Sequence, residues 1–199
     1  MKKIISLLAG GKSLRMKENK LFITYHGLPL IIFQIERFLA DNYFVQVVCS
    51  SENKELLLQK GIIPDSPWIS ICTDLIEDCG PLGAIYTALY YAKTTSLVLA
   101  IDLPFVKPEL TDKLLELSPS YDAVIPCTSK GMEPLCACYQ NSCLAPIRQQ
   151  LDEKKYKVSS MYEKIKVLCF KEEEIKVIDP ELSSFINLNT QEDVNKWIR

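Results

Sequence analysis

Short apolar runs alternate with segments of helical spacing from the first residues of the chain. Ile4 to Ala9 is apolar except for Ser6 and predicts a strand buried on both faces. Leu30 to Ala40 carries apolar residues at 31, 32, 35, 38 and 39, which is the spacing of a helix with one buried face. Phe44 to Cys49 predicts a second strand, and Ser51 opens a helix that Gly61 closes. Ile69 to Cys72 is a short strand. Pro81 suits the first turn of a helix running to about Ala92. Ser96 to Ile101 is a strongly apolar strand that ends at Asp102, and Pro108 begins another helix through Leu110, Leu114, Leu115 and Leu117. Strands alternating with helices in this way imply an α/β fold with a mostly parallel sheet covered on both faces.

The pattern changes near Asp122. Asp122 to Pro126 and Glu133 to Tyr139 read as strands around a polar turn at Ser129–Gly131, so an antiparallel pair is expected. A helix near Asn141–Leu151, a short one near Ser159–Ile165 and a strand at Lys166–Phe170 follow. The Lys171–Lys176 charge run reads as a solvated face. Thr190 and Asp193 have capping-box spacing for a final helix ending near Ile198.

Composition narrows the class of protein. The chain has 199 residues, 48% of them hydrophobic, and a formal net charge of -2. That length suits one domain, 1–199, able to bury roughly 70% of its unfolded surface without staples. The near-neutral balance argues against a nucleic-acid binder. No apolar run approaches the roughly 20 residues of a membrane span. Lys2 and Lys3 before the first apolar run imitate a signal peptide, but the run is short and basic residues follow it. A cytoplasmic protein is expected. The eight cysteines then read as reduced packing residues rather than as a disulfide scaffold. Cys136, Cys138 and Cys143 form a C-x-C-x4-C cluster without the paired spacing of a zinc site.

Four segments could carry chemistry. In the first, Leu8-Ala9-Gly10-Gly11-Lys12-Ser13-Leu14-Arg15-Met16 leaves the first strand through a glycine turn, and Lys20 follows. Exposed backbone amides in such a turn can cradle phosphate oxygens, with Lys12, Arg15 and Lys20 as nearby cations. Neither a Walker A loop nor a G-x-G-x-x-G pattern fits. The second is Asp102, at a strand end where ligands bind in open α/β sheets and where a carboxylate could hold Mg²⁺. The third is Asp74 with Gly80-Pro81-Leu82-Gly83, a helix start that could face an anion or base. The fourth is Asn187-Leu188-Asn189-Thr190; read as a strand, it would put both Asn side chains on one face for polar recognition, and a turn-and-cap role stays equally open. His26, the only histidine, reads as a turn residue before Gly27.

These landmarks together resemble the molybdenum cofactor guanylyltransferase family of the nucleotidyltransferase superfamily. The first glycine segment with Arg15, Met16 and Lys20 is similar to that family's signature. Gly80–Gly83, Asp102-Leu103-Pro104-Phe105, Glu133-Pro134-Leu135 and Asn187-x-Asn189-Thr190-x-Glu192-Asp193 resemble its later landmarks, in the same order. Lys17, Asn19 and the pair Cys49–Ser50 stand where relatives usually carry Gly, Asp and Asn.

The resemblance implies a three-layer Rossmann-like nucleotidyltransferase fold and transfer of GMP from GTP to molybdenum-bound molybdopterin, with release of pyrophosphate. It implies that the backbone of Leu8, Ala9, Gly10 and Gly11 lines the nucleotide site and that Arg15 and Lys20 contact the triphosphate. It further implies that Asp74 holds the nucleoside, that Asp102 binds Mg²⁺ and that Asn187 and Asn189 lie toward the pterin. Proteins that deliver or receive the cofactor are implied partners. Three alternatives stay open at this level: a cytidylyl or other nucleotidyltransferase, a non-catalytic nucleotide-binding module, and a metal or redox protein built on the cysteine cluster.

Overall fold

The computed structural model describes residues 3–10 and 19–197. Strands β1 (Ile4–Leu8), β4 (Phe44–Cys49), β5 (Ile69–Thr73) and β6 (Ser96–Ala100) pair in parallel in the order β6-β1-β4-β5. Between them lie a two-strand hairpin, β2 (Thr24–Tyr25) and β3 (Leu28–Pro29), and helices α1 (Leu30–Ala40), α2 (Ser51–Lys60) and α3 (Gly80–Ala92). Helix α4 (Pro108–Leu117) follows β6.

Alternation along the strands builds a core on each face of the sheet. Ile5, Leu7, Val45, Val47, Leu97 and Leu99 pack with α1 and α4, whereas Leu8, Val48 and Val98 pack with α3. Ser6, the one polar residue inside β1, stays inside because Ser96 lies 2.8 Å away and Gln46 donates to it. The expected α/β layering is therefore present. His26 (φ 49) and Gly27 (φ 79) form the tight turn between β2 and β3, and both need a left-handed conformation there.

The second half extends the same sheet. Strand β7 (Ala123–Thr128) carries a short hairpin partner, β8 (Gly131–Met132). Strand β9 (Cys136–Tyr139) runs antiparallel between β6 and β7. Strand β10 (Val167–Lys171) then pairs in parallel with β7 at the edge. Helix α5 (Leu144–Asp152) covers the α3 side.

Three expectations change here. Glu133–Leu135 is not strand: the chain bends so that Glu133 pairs with Pro126, Leu135 meets Ala100, and only Cys136–Tyr139 joins the sheet. The charge run at 171–176 is not merely solvated. It forms helix α6 (Glu172–Ile178), at whose start the Lys171 amide donates to Glu174 and in which Ile175 is fully buried. Nor are all eight cysteines reduced. Six are free and buried, but Cys127 and Cys169 form a disulfide. The parallel register sets Cys169 opposite Ile125 and Lys171 opposite Cys127, so the two cysteines are diagonal neighbours on one face. Helix α7 (Gln191–Trp197) begins as expected, with Thr190 and Asp193 capping each other. Among the described residues no helix is long and apolar enough to cross a membrane.

Candidate active site

The parallel strands end along one edge in the order β5, β4, β1, β6, and the described candidates gather there. Past β1, the Ala9 amide still bonds Val48, and the Ile101 amide bonds Leu8. The chain thus leaves the sheet at Gly10 with its neighbours on both sides held. Residues Gly11, Lys12, Arg15 and Lys17 lie outside the described residues.

Two amide side chains connect the end of β1 to Lys20. Asn53, nearly buried in the first turn of α2, donates 3.0 Å to the Ala9 carbonyl. Asn19 donates 2.7 Å to Asn53 and accepts from the Leu21 amide, capping the one-turn 3₁₀ helix Lys20–Phe22. Asn19 thus keeps the helix-capping role an Asp would have, and adds a donor that an Asp lacks. Asn53 was not singled out in the sequence. Its only local signal is a polar side chain three residues past the Ser50 cap. Cys49 and Ser50 have structural roles. Cys49 is fully buried, its thiol pushed up to about 12 by desolvation and by the Asp74 charge. Ser50 caps α2.

Lys20 is the hub of a cluster that spans the chain. Its ammonium lies 3.1 Å from an Asp102 oxygen and also donates to Asn189 Oδ1. Asp102 sits in the turn just past β6, with 18% of its side chain exposed, and Lys20 has 29%. Residues 187–190 are not a strand. Leu188 is fully buried and its amide bonds the Asp102 carbonyl at 2.8 Å, leaving Asn187 and Asn189 exposed on either side. The amides of Asn189 and Thr190 both donate to Asp193, which holds that carboxyl below the usual aspartate range. The start of α7 thereby fixes Asn189 beside Lys20.

Asp74 forms a second corner. It follows β5, and its amide bonds the Cys49 carbonyl. A Cβ added to Gly10 would stand 3.2 Å from Asp74 Oδ2, so the missing side chain is what lets the two approach. Among the described residues, Asp74 Oδ1 is buried without a hydrogen-bond partner. Burial, with the Glu77 charge second, pushes its pKa up. Gly83 belongs to packing rather than to the edge: a Cβ there would meet the Cys79 Cβ at 2.8 Å. Glu133 is half-buried beyond β7, with its pKa raised by burial.

The cysteine cluster looks different in three dimensions. Cys136, Cys138 and Cys143 are each buried in the core, and desolvation pushes each thiol up to about 12. Neutral thiols in apolar surroundings pack; they do not react.

A glycine at the end of a central strand, with a lysine–carboxylate pair at the end of the next, defines a nucleotidyltransferase-type α/β protein. Residues 5–167 match the MobA-like NTP transferase domain, and the chain belongs to that family. It is 33% identical to a probable molybdenum cofactor guanylyltransferase of Methanosarcina mazei, over 96% of this chain and 88% of that one. It is also 33% identical to a molybdenum cofactor guanylyltransferase of Desulfosudis oleivorans, covering 96% and 91%. The crystal structure of molybdopterin-guanine dinucleotide biosynthesis protein A from Archaeoglobus fulgidus superposes with a TM-score of 0.81 at 27% identity, covering 97% of this chain and 95% of that one.

Proposed function

We propose that this chain transfers GMP from GTP to molybdenum-bound molybdopterin, giving the guanine dinucleotide cofactor and pyrophosphate, with Mg²⁺ as the metal. The observation that carries this reading is the Lys20–Asp102–Asn189 cluster at the same strand edge as Gly10 and Asp74. The relatives named as guanylyltransferases support the choice of GTP and of the acceptor.

The donor set suits Mg²⁺. Among the described residues no three His, Cys, Asp or Glu side chains gather to hold a metal. Mg²⁺ commonly takes only one or two carboxylates and completes its shell with phosphate oxygens and water. Asp102 would be the protein ligand. When bound, the ion would neutralise charge on the triphosphate.

The remaining work falls to the chain. The backbone at Leu8, Ala9, Gly10 and Gly11 lines the nucleotide, and Asp74 accepts hydrogen bonds from the nucleoside through its unpartnered oxygen. Lys20 and Arg15 supply positive charge to the triphosphate. The acceptor's phosphate oxygen attacks the α-phosphorus in line, the bond to the β-phosphate bridge breaks, and pyrophosphate leaves. Positioning and charge neutralisation supply most of the acceleration in such a reaction. Asn187 and Asn189 face the pterin side. The reading of residues 1–199 as one domain is supported by β10 joining the same sheet and by residue 189 returning to Lys20.

Titration calorimetry with GTP and CTP in Mg²⁺, followed by pyrophosphate release on adding the pterin substrate, tests the reading. GTP should bind more tightly and turn over. Tighter CTP binding would move the chain to the cytidylyl class, and binding without pyrophosphate release would make it a non-catalytic module.

A further inference from the structure

The turn that carries Asp102 is held from beneath by polar groups that the packing of α1 does not need. Helix α1 lays an apolar face against the sheet through Leu30, Ile31, Ile35 and Phe38. Gln34 sits on that face, fully buried. Its Nε2 donates to the carbonyls of Ile101 (3.4 Å) and Leu103 (3.1 Å). Its Oε1 is buried and accepts no hydrogen bond among the described residues. One turn further, Arg37 is partly buried and its Nη1 donates to the Pro104 carbonyl at 2.6 Å. Desolvation pulls the Arg37 pKa down, against the opposing charge of Asp41. The remaining carbonyl, that of Asp102 itself, accepts from the Leu188 amide.

Four consecutive carbonyls, from residue 101 to residue 104, are therefore each tied to a group outside the turn. For Gln34 the arrangement is costly, because an amide oxygen is left buried and unpaired. A leucine of similar volume would fill the same space, but it would leave the Ile101 and Leu103 carbonyls without the donor that holds them. What the amide adds is direction: with its carbonyls held toward α1 and residue 188, the turn presents the Asp102 carboxylate to Lys20.

We propose that Gln34 and Arg37 are positioning residues, which lock the 101–104 turn so that the Asp102 carboxylate is held ready for the divalent metal and the triphosphate. The proposal rests on the reading of Asp102 as metal ligand given above. Groups that orient a metal's ligands commonly change affinity or activity about 10- to 100-fold when removed.

The test is Gln34→Leu in the full chain. Mn²⁺ affinity is read by electron paramagnetic resonance in the presence of GTP, and exchange of the Leu188 amide by hydrogen–deuterium exchange. Melting temperature and GTP binding without metal serve as controls. Mn²⁺ affinity should fall about tenfold and the Leu188 amide should exchange faster. Melting temperature should fall modestly, because the buried Ile101 and Leu103 carbonyls lose their donor, while metal-free GTP binding should stay unchanged. In turnover, kcat should fall with little change in KM for GTP. If Gln34→Leu does not fold, the near-isosteric Gln34→Met takes its place, and Arg37→Lys should show a weaker form of the same metal defect. Unchanged Mn²⁺ affinity and unchanged Leu188 exchange in the folded variant overturn the proposal. Asp102→Asn separates the two levels. If it loses Mn²⁺ binding while Gln34→Leu does not, the positioning role fails and the ligand role stands; if it keeps Mn²⁺ binding, the ligand role itself fails.

Discussion

Two aspartates stand at strand ends on one edge of the sheet, and their surroundings are opposite. Asp102 is held: Lys20 is 3.1 Å away and the Leu188 amide bonds its carbonyl. Asp74 is left wanting: one oxygen is buried without a partner among the described residues, the other crowds Gly10, and its pKa is pushed up by desolvation. A paired carboxylate beside a cation suits a place where charges are exchanged with a metal and a triphosphate. An unpartnered acceptor against a glycine backbone suits recognition of hydrogen-bond donors on a neutral nucleoside, since a buried acceptor gains most from a new donor. Two residues of one type thus acquire different tasks from burial and neighbours alone.

The largest effect expected from this contrast is at Asp102. Asp102→Ala should fold, bind GTP, and lose about 10³-fold in pyrophosphate release; near-normal Mg²⁺-dependent transfer would remove Asp102 from the chemistry. Lys20→Met should cost about 10²-fold in kcat/KM, measured in the same assay. A loss confined to thermal stability would make Lys20 only a structural partner of Asp102.

Asp74→Asn should separate stability from function. A native carboxyl whose pKa lies above its unfolded value favours the protonated form. Its cost to folding therefore appears as pH rises from the ordinary aspartate value, near 3.9, through the raised native value, and is fully present above that. The Asn variant lacks this cost, so at pH 7 it should melt higher than the parent, with the gain fading below about pH 4. Its GTP affinity should nevertheless fall about tenfold. A variant that melts lower at pH 7 would contradict the desolvated state of Asp74. Gly10→Ala should have the smallest effect. The added methyl must displace the Asp74 carboxylate by a few tenths of an ångström, raising KM for GTP about fivefold, equivalent to about 1 kcal/mol. Unchanged KM would show that the Asp74 corner does not shape the nucleotide site.

Where a segment's environment is uniform along its length, its reading from sequence held. The helix Leu30–Ala40 and the strand Phe44–Cys49 match residue for residue, and Gly61 closes α2 in a left-handed conformation. Apolar spacing and caps are local: the strand is buried on both faces, and the helices lay one face on the core. Asp102 and Lys20 were legible for a similar reason: a strand end and the loop after a glycine turn are positions defined along the chain. The readings that changed depend on distant partners. Glu133–Leu135 has strand-like residues but bends to meet Pro126 and Ala100. The charge run at 171–176 becomes a helix because Ile175 finds the core. Cys127 and Cys169 meet only through the register of β7 and β10.

The order of strands and helices, the glycine turn, the strand-end carboxylates and the family follow from the chain read in one dimension, because period, cap and motif are properties of neighbours in sequence. The convergence of Lys20, Asp102 and Asn189, residues up to 169 positions apart, does not. Neither does the unpartnered state of Asp74, nor the support of the 101–104 turn by Gln34 and Arg37. Those are set by which surfaces pack together, and a hydrogen bond of about 3 Å is decided by that packing rather than by the identity of the residues alone.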